Sequence, residues 1–272
     1  MSHWKTVRAC ALCALRCAGL ALHFLRLRLG QDRRGFAPAP PQPLKRLAKL
    51  SCAFGVFFPL LFCEVIPLIS IIDYGAGNLQ SVEKALRHIG CDCQITAGPA
   101  ALLASEAAVL PGVGSYGDAM DQLRARGLEQ PIHDFVDSGK PFLGICLGLQ
   151  ILFETSEESP GVRGLGLLKG RILRLPKESG LKIPHIGWNS LALKEGEPLF
   201  AGLPQEPYVY FVHSYYLQAQ EDVVTATAEY GATIHAAVRK GNLMACQFHP
   251  EKSGRVGLQI LRNFAAMLEK GE

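Results

Sequence analysis

The sequence lacks several features that are typical of nucleic-acid-binding, disulfide-stabilised or membrane proteins. Aromatic residues make up 8% of the 272 residues, and the formal net charge is +4. The charge is unevenly spread, because residues 1–64 hold ten of the 28 basic residues and two of the 24 acidic ones, which leaves 18 basic and 22 acidic residues elsewhere. This slightly acidic body has no basic patch interleaved with aromatics, so nucleic acid is excluded as a partner.

The nine cysteines do not have the regular spacing of a disulfide framework. Cys10, Cys13 and Cys17 have roughly the spacing of metal ligands, but no second pair of Cys or His residues follows to complete four ligands. We therefore expect neither a disulfide framework nor a metal site.

Residues 1–64 differ in character from the rest, being rich in arginine and almost free of acids, with a proline-rich run at residues 38–43. Three interpretations stay open: an organelle transit peptide, a signal peptide whose apolar core is residues 52–63, or an over-extended reading frame. The apolar run is shorter than the about 20 residues that a membrane span needs. We favour the over-extended frame, with a disordered or non-native extension at 1–64 and a cytoplasmic, membrane-free domain at 65–272.

From residue 67 onward, short apolar runs alternate with amphipathic stretches, a pattern typical of an α/β domain with a largely parallel sheet. The predicted strands of the first half are residues 68–72, 91–96, 107–110 and 142–146, and the predicted helices are 78–89, 118–126, 128–137 and 147–155. In the second half we predict strands at 170–175, 190–193, 208–217, 223–229, 234–239 and 243–248, and a final helix at 256–268. The pattern predicts a flavodoxin-like central mixed sheet, flanked by helices and extended by antiparallel strands.

A cysteine stands between two glycines where a predicted strand meets a predicted helix, in Gly144-Ile145-Cys146-Leu147-Gly148. This is the context of a nucleophile elbow with cysteine in place of serine. The glycines permit a sharp turn, and the positive end of the following helix favours the nucleophilic thiolate. A buried structural cysteine in a glycine-flanked turn is the alternative.

A histidine and a glutamate follow about a hundred residues later, in His249-Pro250-Glu251. In an extended chain the two side chains project to the same side. The imidazole of His249 can then take the thiol proton while Glu251 holds the ring in the correct tautomer. A solvated loop histidine beside a surface glutamate is the alternative, but Cys146, His249 and Glu251 together predict a catalytic triad.

Acyl transfer also needs donors for the negative oxygen of a tetrahedral intermediate. The sequence offers the backbone N–H of Leu147, which follows the nucleophile, and that of Val113 in the loop Pro111-Gly112-Val113-Gly114. Glycines beside Val113 let the backbone approach a substrate closely. An ordinary turn at the end of a strand is the other interpretation.

These motifs, PGVG at 111–114, GICLGLQ at 144–150 and FHPEKS at 248–253, resemble the class I glutamine amidotransferase family, and the resemblance covers residues 66–270. Within that family, DYGAGN at 73–78, PHIGWN at 184–189 and VHSY at 212–215 resemble the glutaminase subunits of imidazole glycerol phosphate synthase. The resemblance implies a Cys146 nucleophile, with His249 as base and then acid and Glu251 as its orienting group. It implies L-glutamine as substrate and no cofactor.

The resemblance also implies two further sets of residues. Those expected to hold glutamine are Gly112, Gly114, Gln150, Ser214 and Tyr215. Those expected to face a partner are Asn78, Pro184, His185, Gly187, Trp188, Asn189 and Lys252. The partner implied is a barrel-shaped cyclase subunit, which joins the released ammonia to a ribulosyl phosphate intermediate and gives imidazole glycerol phosphate and aminoimidazole carboxamide ribotide.

Three other functions stay open at this point. The chain could serve another class I amidotransferase, of the anthranilate or carbamoyl phosphate type. It could hydrolyse γ-glutamyl bonds without any partner, or it could be a non-catalytic interaction protein on the same fold, against which the intact triad argues. If a partner is needed, we expect the N–H of Val113 to point away from the site until the partner binds, which leaves the oxyanion hole incomplete.

Overall fold

The structure is a computed structural model, and it describes residues 68–177 and 180–268. The predicted extension at residues 1–64 lies outside the described residues. Among the helices of the described part, none has the length and apolar character needed to cross a membrane.

The first half of the domain alternates strands with helices, as the sequence predicts. The elements are β1 (Leu68–Ile72), α1 (Leu79–His88), β2 (Asp92–Thr96), α2 (Pro99–Leu103), β3 (Ala107–Gly112), α3 (Tyr116–Ala125), α4 (Glu129–Asp137), β4 (Phe142–Cys146) and the single turn α5 (Leu147–Gln150). Every residue of β3 and β4 is buried, which is typical of parallel strands covered on both faces. In α1 the buried residues Val82, Ala85 and Leu86 recur at helical spacing, so one face packs on the sheet.

The second half is built almost entirely of strands. They are β5 (Thr155–Ser156), β6 (Gly170–Arg174), β7 (His185–Ser190), β8 (Ala192–Leu193), β9 (Tyr208–His213), β10 (Tyr215–Ala219), β11 (Val224–Glu229), β12 (Thr233–Lys240) and β13 (Leu243–Cys246). Short 3₁₀ turns occur at Pro198–Phe200 and Pro250–Lys252, and the helix α6 (Gly254–Ala265) ends the described chain.

The main sheet has eight strands in the order β2-β1-β3-β4-β13-β12-β11-β8. The pairs from β2 to β13 are parallel, and those from β13 to β8 are antiparallel. A three-stranded sheet, β10-β6-β5, and the two-stranded ribbon β7-β9 stand beside it. This architecture confirms the predicted mixed α/β sheet with an antiparallel extension.

Two apolar cores cover the two faces of the main sheet, because successive side chains of a strand point to opposite faces. Leu143 and Ile145 belong to one core and Phe142 to the other. The edge of the sheet where β3, β4 and β13 end in parallel is where the chain places its reactive residues.

Some predicted elements were wrong in extent. The helix predicted at 147–155 ends at Gln150, because the buried run Ile151, Leu152 and Phe153 continues into the core as irregular chain. The strand predicted at 208–217 divides at Ser214 into β9 and β10, which pair with different sheets. The helix α2 and most of the strand β7 were not predicted.

Candidate active site

Cys146 ends β4 in a strained backbone conformation. Its φ is 56° and its ψ is −109°, and among the described residues other than glycine no second one has a positive φ. Such a conformation costs on the order of 1–3 kcal/mol and persists only where the surroundings enforce it. The helix α5 that follows is only one turn long. The stabilisation of a thiolate that a long helix would give is therefore reduced to that of the first N–H groups of α5.

The glycines on either side of Cys146 are required by close packing. A Cβ atom at Gly144 would lie 2.9 Å from the carbonyl oxygen of Gly148, and one at Gly148 would overlap the carbonyl oxygen of Leu110. The chain therefore turns back on itself so tightly that no side chain fits at these two positions. The result holds the thiol of Cys146 at the end of the sheet.

His249 and Glu251 form a buried pair beside this thiol. His249 Nδ1 lies 2.8 Å from Glu251 Oε1, and the two side chains are 2% and 1% exposed. Because a carboxylate only accepts, Nδ1 carries the proton and Nε2 is left to face the reaction. His249 Nε2 is buried and has no oxygen or nitrogen partner, and it interacts instead with the sulfur of Cys146. The pairing arises from the 3₁₀ turn Pro250–Lys252 rather than from the extended chain that the sequence suggested.

The neighbours of His249 favour its charged form. Burial alone lowers the pKa of His249, but hydrogen bonding and charge interactions with Cys146 and Glu251 outweigh it and raise the pKa to about 9. The imidazole is therefore protonated near neutral pH when the sulfur is ionised. This is the charge distribution of an activated cysteine nucleophile.

A cavity of about 310 Å³ lies in front of Cys146, within the size range of small-molecule sites. Val113 and Leu147, the two predicted oxyanion donors, both line it, and so do the predicted glutamine-binding residues Gly114, Gln150, Ser214 and Tyr215. Gly112 lies behind the lining, paired with Cys146 across β3 and β4. The structure thus brings the predicted triad and these substrate residues to one place.

Three residues that the sequence did not single out as functional lie in the lining of the cavity or directly behind it. Glu158 lines it, and its Oε2 accepts a hydrogen bond from the N–H of Tyr116 at 2.8 Å, which fixes the carboxylate. Gln247, which is 0% exposed, approaches Cys146 Sγ with its Nε2 at 3.7 Å. The hydroxyl of the buried Tyr74 lies against Gly112 and has no partner. Burial, and then Cys146, raise the pKa of Tyr74.

The ribbon β7-β9 has one inward and one outward face beside the cavity. Ile186, Trp188 and Tyr208 lie on the outward face and are 60%, 55% and 54% exposed. Trp188 pairs with Tyr210, whose ring lies 6.0 Å from Lys252 Nζ. We call Ile186, Trp188, Tyr208, Tyr210 and Lys252 the ribbon patch.

The remaining residues expected at a partner interface lie in several environments. His185 is 3% exposed and points inward, where it stacks on Tyr230 and bonds to His213, so it is not a surface residue. Pro184 lines the cavity. Asn78 is the N-cap residue of α1. Gly187 and Asn189 are partly buried on β7, with Asn189 Nδ2 donating to the carbonyl of Glu229.

A thiol, an imidazole and a carboxylate in this order, at the end of a mixed α/β sheet, are what a class I glutamine amidotransferase uses. Comparisons with known proteins agree. Residues 70–268 match the family described as Glutamine amidotransferase class-I. Two solved structures share the fold. One is a glutamine amidotransferase, with a TM-score of 0.59 and 20% sequence identity, which covers 74% of this chain and 98% of that one. The other is PurLQS from Thermotoga maritima, with a TM-score of 0.58 and 24% sequence identity, which covers 74% of this chain and 99% of that one.

Sequence relatives are much more similar. The chain is 51% identical over 201 residues to the imidazole glycerol phosphate synthase subunit HisH of Methanothermobacter thermautotrophicus, covering 74% of this chain and 99% of that protein. It is also 51% identical over 206 residues to the subunit HisH of Thermosynechococcus vestitus, covering 75% and 98%. The chain therefore belongs to the class I glutamine amidotransferase family and, within it, to the HisH subunits, which confirms the resemblance seen in the sequence.

Proposed function

We propose that the chain is a glutaminase subunit that hydrolyses L-glutamine to glutamate and ammonia and passes the ammonia to a cyclase partner. The observation that carries the proposal is the buried pair of His249 and Glu251, which opens on the same cavity as the strained Cys146. We expect the reaction to take place in the cytoplasm and to need no cofactor.

The first half of the reaction forms a thioester. The sulfur of Cys146 attacks the side-chain amide carbon of glutamine, and the amide oxygen becomes negatively charged. The N–H groups of Leu147 and Val113 stabilise that oxygen. The protonated His249 gives its proton to the leaving nitrogen, the carbon–nitrogen bond breaks, and ammonia departs.

The second half restores the enzyme. Neutral His249 now takes a proton from a water molecule, which attacks the thioester carbon. The carbon–sulfur bond breaks, glutamate leaves, and the sulfur and the imidazolium return to their starting charges. Glu251 keeps Nδ1 protonated in both halves, so Nε2 alone carries the transferred proton.

The cavity offers groups of the right charge for the amino-acid end of glutamine. Gln150 uses both hydrogens of its amide nitrogen on protein acceptors, the carbonyl of Tyr215 at 3.0 Å and Gln247 Oε1 at 2.9 Å. Its oxygen is left to accept from the α-ammonium group, and the Glu158 carboxylate supplies the opposite charge. Ser214, Tyr215 and Gly114 line the cavity and complete the pocket for the α-carboxylate, whereas Gly112, behind the lining, supports the loop that carries Val113.

The partner in this proposal is the cyclase subunit of imidazole glycerol phosphate synthase. The relatives are named as HisH subunits of that synthase, which supports a second subunit. The ribbon patch is where it docks, because large exposed aromatic side chains are typical anchors of protein interfaces. Val212 and His213 of the ribbon line the cavity, and so does Pro184, which precedes the ribbon. A partner seated there excludes water, so ammonia leaves unprotonated for the ribulosyl phosphate intermediate.

The same partner completes the oxyanion hole. Val113 is 41% exposed at the cavity, next to Gly114 with its φ of 105°, so its peptide has room to rotate. In the free chain the N–H of Val113 points away, and partner binding turns it toward the substrate. A free chain that consumes glutamine as fast as the complex contradicts this step.

The test is to mix the full chain with a candidate cyclase and to follow glutamine consumption with and without the cyclase substrate. We expect consumption to rise when both are present. Cys146→Ala abolishes consumption but still binds the cyclase. A mixture that forms the complex and leaves glutamine intact under all these conditions contradicts the proposed function.

A further inference from the structure

Gln247 has an environment that a glutamine side chain rarely occupies. It follows β13 two residues before His249, its side chain is fully buried, and both ends of its amide bond to polar groups of the active site. Its Oε1 accepts from Gln150 Nε2 at 2.9 Å, and its Nε2 donates to Cys146 Sγ at 3.7 Å. A polar group buried this deeply is expensive unless each of its bonds is used.

The direction of these hydrogen bonds is fixed by a backbone carbonyl. The oxygen of Tyr215 can only accept, so the Gln150 atom at 3.0 Å from it is the amide nitrogen. The second hydrogen of that nitrogen meets Gln247, which must therefore present its oxygen. The nitrogen of Gln247 therefore faces the sulfur. If the Gln247 amide were flipped, its nitrogen would face the nitrogen of Gln150, and two donors would meet without an acceptor.

The carbonyl of Tyr215 is itself held in place from the other side. His213 Nδ1 lies 2.9 Å from it and must donate, so His213 Nε2 accepts from His185 Nδ1 at 2.9 Å. Burial lowers the pKa of His213 to about 3 and that of His185 to about 4, so each ring carries a single N–H near neutral pH. Both lone pairs of the Tyr215 carbonyl are therefore in use.

We propose that Gln247 is a further catalytic residue, whose side-chain amide donates a hydrogen bond to the Cys146 sulfur and stabilises its ionised form. The proposal rests on the proposed glutaminase reaction. When the sulfur is protonated, its S–H has the carbonyl of Val212 at 4.0 Å as acceptor. When it is ionised, a carbonyl offers it nothing, whereas an N–H donor forms a stronger, charge-assisted bond. Gln247 thus favours the state that attacks glutamine.

The test measures Cys146 directly, without glutamine. The full chain is treated with iodoacetamide over a range of pH, and mass spectrometry of the peptide that contains Cys146 gives the rate of alkylation, which follows the thiolate. Gln247→Met keeps the length and removes the donor, and Gln247→Glu keeps the oxygen that accepts from Gln150 and replaces the donor by an acceptor. Gln259→Met, at a glutamine of α6 that bonds to Asn263, is the matched control.

We expect both variants at Gln247 to move the alkylation profile to higher pH, with a rate about ten- to hundredfold lower on the acidic side, because a hydrogen bond to a charged group is lost. The control keeps the original profile. In Gln247→Met and in the control, the titratable groups that face the sulfur or lie close behind it are unchanged: His249, Glu251, His213, Glu158, Tyr74 and Cys246. Gln247→Glu adds one carboxylate beside the sulfur, whose negative charge also disfavours the thiolate, so Gln247→Met isolates the loss of the donor.

The outcomes separate this proposal from the proposed function. An unchanged profile in folded Gln247→Glu or Gln247→Met overturns the role of Gln247, whatever the glutaminase activity. A shifted profile supports it even if the unaltered chain fails to consume glutamine with the cyclase, in which case the proposed function alone falls. The thermal unfolding midpoint shows whether Gln247→Met and Gln247→Glu have folded. If one of them has not, the alkylation profile of the other tests the role of Gln247.

Discussion

Glu251 lies behind His249 rather than beside the substrate cavity, with Oε1 2.8 Å from Nδ1 and the carboxylate side chain 1% exposed. The acid therefore acts on glutamine only through the ring that it orients. Its second oxygen, Oε2, is buried without a partner, so the hydrogen bond to Nδ1 is what holds this carboxylate in place.

Replacing that carboxylate by an amide is expected to impair the chemistry without impairing binding. Glu251→Gln keeps the size of the side chain, but the amide no longer holds the proton on Nδ1 of His249. We expect kcat for glutamine to fall by about 10²- to 10⁴-fold, as in other triads with the wrong tautomer, with KM nearly unchanged. Steady-state kinetics of the complex measure this. Glu129→Gln, at a surface pair with Arg124, is the control and keeps full activity.

The buried histidines predict a stability maximum near neutral pH. The folded pKa values of His213 and His185, about 3 and about 4, lie below the usual histidine value of about 6.5, so the unfolded chain binds more protons and stability falls as the pH drops below about 6.5. The folded pKa of His249, about 9, lies above the usual histidine value. The stability that His249 contributes is therefore fully present below about pH 6.5 and is lost as the pH rises through 9.

Urea unfolding across this pH range tests both sides of the maximum. His213→Gln is expected to flatten the acidic side. Cys146→Ala removes a group that raises the pKa of His249 and is expected to flatten the alkaline side. If the free energy of unfolding is constant between about pH 5 and 9, these histidines do not titrate as described.

A methyl group at Gly112 is expected to damage the oxyanion hole. Its Cβ would lie 2.5 Å from the Tyr74 hydroxyl oxygen, 2.8 Å from Leu147 Cβ and 2.9 Å from Gly148 N, so the start of α5 must shift. We expect Gly112→Ala to lower kcat by about 10²- to 10³-fold, as the loss of one oxyanion donor does. Gly98→Ala is the matched control, because a Cβ at Gly98 meets nothing within 4 Å. Equal activity of the two variants contradicts the packing argument.

The ribbon patch is expected to dominate binding of the cyclase. Trp188→Ala removes its largest exposed side chain, and truncation of a central tryptophan in an interface commonly costs about 2 kcal/mol or more, which is about 30-fold in Kd. Calorimetric titration of the cyclase measures the change. Leu103→Ala, at an exposed leucine of α2 outside the patch, leaves Kd unchanged. Were the two variants to bind alike, the partner would dock elsewhere.

The domain is expected to work without the predicted extension. A chain that starts at Val65 contains all of the family match at residues 70–268. We expect it to fold and to consume glutamine with the cyclase at the rate of the full chain. An insoluble or inactive truncated chain would assign residues 1–64 to the fold.

The sequence predicted the triad because its three members lie in short motifs at strand ends, where Gly144, Cys146 and Gly148 already require a tight turn. It also contained a signal for the ribbon that the prediction did not use. In β7 the buried His185 alternates with the exposed Ile186 and Trp188, which is the period of a half-buried strand. Reading that period would have separated the inward His185 from the outward surface residues.

Gln247 and Glu158 could not be found in this way. Their roles depend on which atom of an amide faces which neighbour and on contacts over 97 and 42 residues of sequence, to Gln150 and Tyr116. The periodicity of apolar and polar residues within one helix or strand carries no information on contacts between such distant residues. The division of residues 208–217 at Ser214 is of the same kind, since both parts have strand composition and only the pairing partners differ.

The position of β13 in the sheet determines when the triad can assemble during synthesis of the chain. This strand inserts between β4 and β12, with Cys246 opposite Ile145, and the base follows it directly. During synthesis the nucleophile therefore leaves the ribosome about a hundred residues before its base. A nascent chain that lacks residues 243–249 has the thiol but neither the strand that pairs with β4 nor the base, so its triad is incomplete.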